Sequence, residues 1–257
     1  MVTVTECKIA IPTYREPAAE QMPMFAQNRN HQRTSGNPYP NHIVSEVDRK
    51  HKENKDYTCI RLENEYLKIE ILSELGGRIY SAYDKTTGYD FFYKQHVIKP
   101  ALIGCLGSWI SGGVEFNWPF HHRASTFMPT DYFIDRKKDG SVTTYPIASN
   151  ALGVFNGIRY NGDTDISMHK NTIQPTSYFC APSKYDFFGG YDRFKRCGVV
   201  HVANHHISVG KKMFTWAYNQ LSESWENALT DSDGSYAELI AGSYSDNQPD
   251  FAWIEPY

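Results

Sequence analysis

The sequence predicts an all-β fold, a sandwich or barrel built from short strands. Three observations carry that expectation. Apolar and polar residues alternate with period two in several runs, as where Leu67, Ile69 and Ile71 interleave with Lys68 and Glu70. The runs are separated by turn sequences such as DKTTG at 84–88. Helical periodicity is nearly absent, with SESWENAL at 222–229 the only short candidate.

In chain order, residues 15–56 are polar and interrupted by Pro17, Pro23, Pro38 and Pro40, and they end in the charge run EVDRKHKENKD. That texture predicts an arm over residues 1–56 wrapping a single β-sandwich domain at 57–257. A short strand around Ile60 and Leu62 then turns at Glu63-Asn64-Glu65 into LKIEIL, a strand with one wet face. Gly76-Gly77 precedes the strand RIYSAYD. Later, GVVHVANHHISVGKKMFTWAY predicts two strands around a turn at Ser208 to Lys211, with Phe214, Trp216 and Tyr218 on one face. YAELIAGSY predicts another, with Tyr236, Glu238 and Ile240 together on one face.

The bulk properties exclude several classes. A net charge of −3 gives no general attraction to nucleic acid or acidic membrane, and basic residues are not interleaved with aromatics along one surface. No apolar run is long enough to span a bilayer, and the N-terminus lacks the basic and apolar segments of a signal peptide. Cys7, Cys59, Cys105, Cys180 and Cys197 are odd in number, widely spaced and without CxxC, which predicts reduced thiols and a cytoplasmic location. Neither GxxxxGK[ST] nor GxSxG is present, and no cofactor is expected. The spacing of His201, His205 and His206 does not favour a metal. On one strand, His201 and His205 would stand roughly 13 Å apart at ~3.3 Å per residue.

Chemistry concentrates in SGGVEFNWPFHHR, Ser111 to Arg123. Gly104, Gly107, Gly112 and Gly113 surround Trp109 and permit close backbone approach. Asn117 and Trp118 supply an amide and an aromatic face suited to sugar hydroxyls and a sugar's C–H face. Glu115 is a carboxylate within reach of acid–base work, and Arg123 either orients a carboxylate, bonds sugar hydroxyls or pairs with Glu115 as structure. Arg78, Trp216, and Asp246 and Asn247 in SDNQPD are pocket-rim or turn residues in this reading. High tyrosine content, 18 residues against 14 Phe and 5 Trp, also fits half-wet surfaces such as sugar sites.

From Leu62 onward, LENEYLKIEIL, ELGGRIYSAYDKTTGYDFFY, SWISGGVEFNWPFHHRASTFMPTDY, TSYFCAPSKYDFFGGYD, GVVHVANHHISVGKK and SYSDNQPDFAWIEPY resemble a bacterial group of unknown function. That group is often found ahead of tetratricopeptide repeats and is placed in the galactose-mutarotase-like superfamily of twisted β-supersandwiches. Against its pattern, this sequence lacks an internal block of strands near 141–143 and stops at Tyr257 before a last strand, so an incomplete supersandwich is expected. The resemblance implies a glutamate base on a late strand, which falls on Glu238, and a histidine acid, for which His121 and His122 are candidates. Neighbours on an extended segment point to opposite sides, and His122 is favoured. The implied activity is mutarotase-like proton transfer at the anomeric centre of a mono- or oligosaccharide. Two alternatives stay open: glycoside hydrolysis by paired Glu115 and Glu238, and a non-catalytic carbohydrate-binding or degenerate member. The oligomeric state is left open.

Overall fold

A computed structural model describes residues 1–15, 48–99, 110–116, 128–136, 142–146, 168–179 and 184–243. The chain divides into two compact units, Met1–Asn150 and Ala151–Tyr257. Every pairing between named strands is antiparallel, and the protein is all-β, as its alternating sequence predicts.

The first unit is built on a five-stranded sheet in simple up-and-down order: β1 (Thr3–Arg15), β2 (Asp48–Glu63), β3 (Leu67–Leu72), β4 (Arg78–Asp84) and β5 (Tyr89–Asp90). The turn between β2 and β3 is set by Asn64, whose Oδ1 accepts the backbone N–H groups of Tyr66 at 2.9 Å and Leu67 at 2.7 Å. Asp84 organises the turn between β4 and β5 in the same way, accepting from Thr86 and Thr87. A hairpin of β6 (Tyr132–Arg136) and β7 (Val142–Pro146) follows, and the anticipated join near 141–143 falls at the start of β7.

Both faces of the sheet are covered. On one, Ile11, Tyr57, Cys59, Leu72, Leu75 and Tyr80 pack with Ile98 and Ile110. On the other, Val4, Ile60 and Ile71 pack with Leu62, Ile69, Ile79 and the hairpin residues Tyr132 and Ile134. This corrects two expectations. The stretch read as an N-terminal arm supplies β1 and the first half of β2, because its exposed charged side chains belong to a long ribbon whose backbone bonds run from Thr3↔Glu63 to Tyr14↔Lys52. The wet face of β3 is also not wet. Glu70 is buried there, held by Arg61 at 2.9 Å and Lys94 at 2.8 Å.

Burial pushes the Glu70 carboxyl up, but Lys94 and Arg61 outweigh it and hold it below its ordinary 4.5. A carboxyl depressed in the folded state stabilises the fold above its unfolded value and loses that contribution as pH falls through the folded one. The stability difference between wild type and Glu70→Gln, followed by urea unfolding, is therefore expected to shrink as pH drops below about 4.5. A constant difference from neutral pH to pH 3 would show that the charges contribute nothing net.

The second unit holds two small sheets. β9 (Phe187–Asp192) pairs with β10 (Cys197–Val202), while β11 (Gly210–Thr215) lies between β8 (Thr176–Phe179) and β12 (Ala237–Gly242). The two strands flanking Ser208–Lys211 therefore do not form a hairpin. The backbone N–H groups of Ile207 and Ser208 fold onto the Asn204 carbonyl at 3.1 and 2.8 Å, and the chain passes from one sheet to the other. Helix α1 (Gln220–Thr230) contains the SESWENAL candidate. Its N-cap is Asn219, whose side chain accepts from Ser222 N, and Asp231 in the left-handed region ends it. Ser222, Glu226, Leu229 and Thr230 form its buried stripe. Among the described residues no helix is long and apolar enough to cross a membrane.

Candidate functional site

In the first unit, polar groups collect where the Ser111–Phe116 segment lies on β4. Arg78, the first residue of β4, is buried; its Nη1 donates to the Gly112 carbonyl and its Nη2 to Glu115 Oε2 at 3.0 Å. The segment is drawn onto the sheet by backbone bonds, Val114 N to the Ile79 carbonyl at 2.9 Å and Gly113 N to the Tyr93 carbonyl at 2.8 Å. Beneath it, Gln95 donates through Nε2 to Ser111 Oγ at 2.8 Å and accepts through Oε1 from the Tyr93 hydroxyl at 3.1 Å. Arg78 Nε is buried and makes no hydrogen bond among the described residues. Glu115 thus sits in a fixed charge pair, with side-chain exposures of 3% for Arg78 and 11% for Glu115. Arg78, expected at a rim, anchors the segment from inside.

In the second unit, register places Glu238 directly opposite Phe214, and Phe214 opposite Ser177. One pair further along, Lys212 stands between Phe179 and Ile240. Side chains two residues apart share a face, so Ser177, Phe179, Lys212, Phe214, Glu238 and Ile240 line the same side of β8–β11–β12. Trp216 joins them, its ring 4.9 Å from Phe214 and edge-on to it. Trp225 of α1 lies 5.3 Å beyond, tilted at 39°. The indole N–H groups of Trp216 and Trp225 are both buried without a hydrogen-bond partner among the described residues. A buried donor without a partner costs about 1–3 kcal/mol. Tyr218 does not share this face. Ala217 has φ +81°, the strand ends, and the Tyr218 ring turns edge-on to His169 at 6.1 Å.

A second constellation in this unit was not anticipated from sequence. His169 Nε2 lies 3.4 Å from Glu226 Oε2, and its Nδ1 is 3.3 Å from Thr215 Oγ1. Glu226, buried on α1, uses Oε1 to accept from Tyr236 N at 3.0 Å. The signal was present: Glu226 falls on the helix stripe between Ser222 and Leu229, where a carboxylate requires a partner. His201, His205 and His206 lie apart from this constellation. His205 Nδ1 lies 2.7 Å from Asp186 Oδ1 and its ring 3.9 Å from His206. Burial, with the Lys211 charge adding to it, moves His201 below its ordinary value. Among the described residues no three His, Cys, Asp or Glu side chains group as metal ligands. Trp109, Asn117, Trp118, His121, His122, Arg123, Asp246 and Asn247 lie outside the described residues.

The fold and these clusters define an all-β protein with a buried guanidinium–carboxylate anchor in one unit and, in the other, an aromatic sheet face that carries Glu238 and Lys212. The chain belongs to the family described as Domain of unknown function (DUF5107), whose model matches residues 34–152 and 156–255. Its fold is similar to that of a solved TPR-domain containing protein from Parabacteroides distasonis ATCC 8503, with a TM-score of 0.76 at 20% identity. The match covers 96% of this chain and 52% of the other, so this chain spans about half the length of that protein.

Proposed function

We propose that the protein is carbohydrate-active, with a galactose-mutarotase-like arrangement that transfers protons at the anomeric centre of a sugar. The observation that supports this reading is the shared face of Glu238, Phe214 and Trp216, which offers one carboxylate beside two edge-to-face aromatic rings. A pyranose presents a C–H face to such rings and hydroxyls to such a carboxylate. In this reading Glu238 takes the proton from the anomeric hydroxyl while a general acid gives one to the ring oxygen. The bond between the anomeric carbon and ring oxygen breaks, and the open aldehyde recloses on either face. The bond from Arg78 gives Glu115 an anchoring role in this reading, so the paired-carboxylate hydrolase is not the reading we favour.

Saturation-transfer NMR of anomer exchange, run over a panel of aldoses, tests the proposal. Wild-type protein is expected to accelerate exchange of at least one of them, and Glu238→Gln to lower that acceleration by a factor on the order of 100. Saturable sugar binding without any acceleration would overturn the catalytic reading in favour of a binding module. Release of new reducing ends from oligosaccharides would move the assignment to hydrolysis.

A further inference from the structure

Cys7 on β1 and Cys59 on β2 are direct cross-strand partners. Opposed residues of an antiparallel pair stand roughly 4.5–5.5 Å apart between Cα atoms, within the roughly 4.4–6.8 Å that a disulfide spans. Both side chains lie on the same face of the sheet: Cys59 belongs to the cluster of Ile11, Tyr57 and Leu72, and Cys7 packs against that cluster. Cys7 Sγ donates to the Cys59 carbonyl at 3.7 Å. Both are free thiols, Cys59 buried and Cys7 half-buried. A chance pair of cysteines on a sheet rarely meets the register, the face and the contact together. We propose that Cys7 and Cys59 form a reversible cross-strand disulfide, made by exchange with a small-molecule disulfide of the glutathione type.

The exchange balances in two steps. The Cys7 thiolate attacks one sulfur of the small disulfide, whose S–S bond breaks; one small thiolate leaves and takes up a proton. The Cys59 thiol then gives up its proton and attacks Cys7 Sγ, expelling the second small thiol. Two protein thiols are oxidised to one disulfide, and one small disulfide is reduced to two thiols. The half-buried partner is reached first and the buried one resolves. Burial, with the neighbouring Cys7 adding to it, pushes the Cys59 thiol up to about 12, so its thiolate is scarce near neutrality and the second step is the slow one. The product ties β1, at the edge of the sheet, to β2 and closes the long stretch of chain between them.

The test uses the full chain under native conditions with oxidised glutathione, an acid quench and non-reducing peptide mapping by mass spectrometry. The expected product is a Cys7–Cys59 linked peptide, lighter by two hydrogens than the separate thiol peptides and lost on treatment with dithiothreitol. A transient Cys7–glutathione adduct should precede it and disappear roughly tenfold faster per pH unit, as the Cys59 thiolate becomes more abundant. The oxidised protein should melt about 5–10 °C higher. Cys7→Ser, at the half-buried position, should abolish the link and leave Cys59 unmodified. An adduct on Cys7 that persists for hours would overturn the proposal. So would linkage of Cys59 to Cys105, Cys180 or Cys197 in comparable yield.

Discussion

Arg78→Met is expected to destabilise the first unit by about 3–5 kcal/mol. The side chain is nearly as long, so the aliphatic packing is largely kept and the loss falls on the guanidinium. That group serves two acceptors, the Gly112 carbonyl and Glu115 Oε2, in a place where Arg78 is only 3% exposed. A hydrogen bond to a charged group contributes about 1.5–3 kcal/mol, and a buried carbonyl that loses its donor costs about 1–3 kcal/mol more. Hydrogen exchange read by mass spectrometry can localise the effect. Amides of β3 and β4 that exchange through unfolding of the unit should quicken about 100-fold or more, at about 1.4 kcal/mol per tenfold. Amides of α1 and β11 serve as an internal reference in the second unit. A double-mutant cycle with Glu115→Gln should give a coupling energy of about 1.5–3 kcal/mol. Coupling near zero would remove Glu115 from its anchoring role and reopen the paired-carboxylate reading.

The features that sequence exposes are the ones decided by neighbours along the chain. The period-two run of Leu67, Ile69 and Ile71 gives β3, and Asn64 and Asp84 mark the turns before β3 and after β4, because each acts within three residues of itself. Glu70 defeats the same logic. Alternation says it faces water, but the cations that let it be buried come from Arg61, 9 residues away, and Lys94, 24 residues away. Strand partners were equally hidden. GVVHV and GKKMFT are recognisable strands, yet nothing local says that they enter different sheets. The site divides along the same line. Glu238 and Trp216 were named from sequence, and the register brings Glu238 beside Phe214, but the resemblance rather than the spacing singled Glu238 out. Arg78 was named for the wrong surroundings, since its partner Glu115 is 37 positions away. His169 and Glu226 belong to no motif, and Thr215, which completes their cluster, is 46 positions from His169.

Gly113→Ala is expected to cost the first unit about 3 kcal/mol or more, because two independent penalties coincide. Gly113 has φ +67°, a left-handed conformation that costs an L side chain about 1–2 kcal/mol. A Cβ there would also stand 2.3 Å from the Ile79 carbonyl oxygen, and that obstacle is backbone of β4 rather than the end of a flexible side chain. Relief requires lifting the segment off the strand, which breaks the bond from Val114 N to the same carbonyl and pulls at the Glu115–Arg78 pair. Two other glycines separate the penalties. Gly88 has φ +70° but its nearest obstacle is the Tyr83 hydroxyl at 3.7 Å, so Gly88→Ala should show the conformational cost alone, about 1 kcal/mol. At Gly190, whose added Cβ would meet only Leu239 Cδ1 at 3.6 Å, alanine should be neutral or stabilise by about 0.4–1 kcal/mol. Urea unfolding of the three variants should rank them Gly113, Gly88, Gly190 in order of loss. If Gly113→Ala cost no more than Gly88→Ala, the segment would be free to move off β4, and its role as a rigid mount for Glu115 would fail.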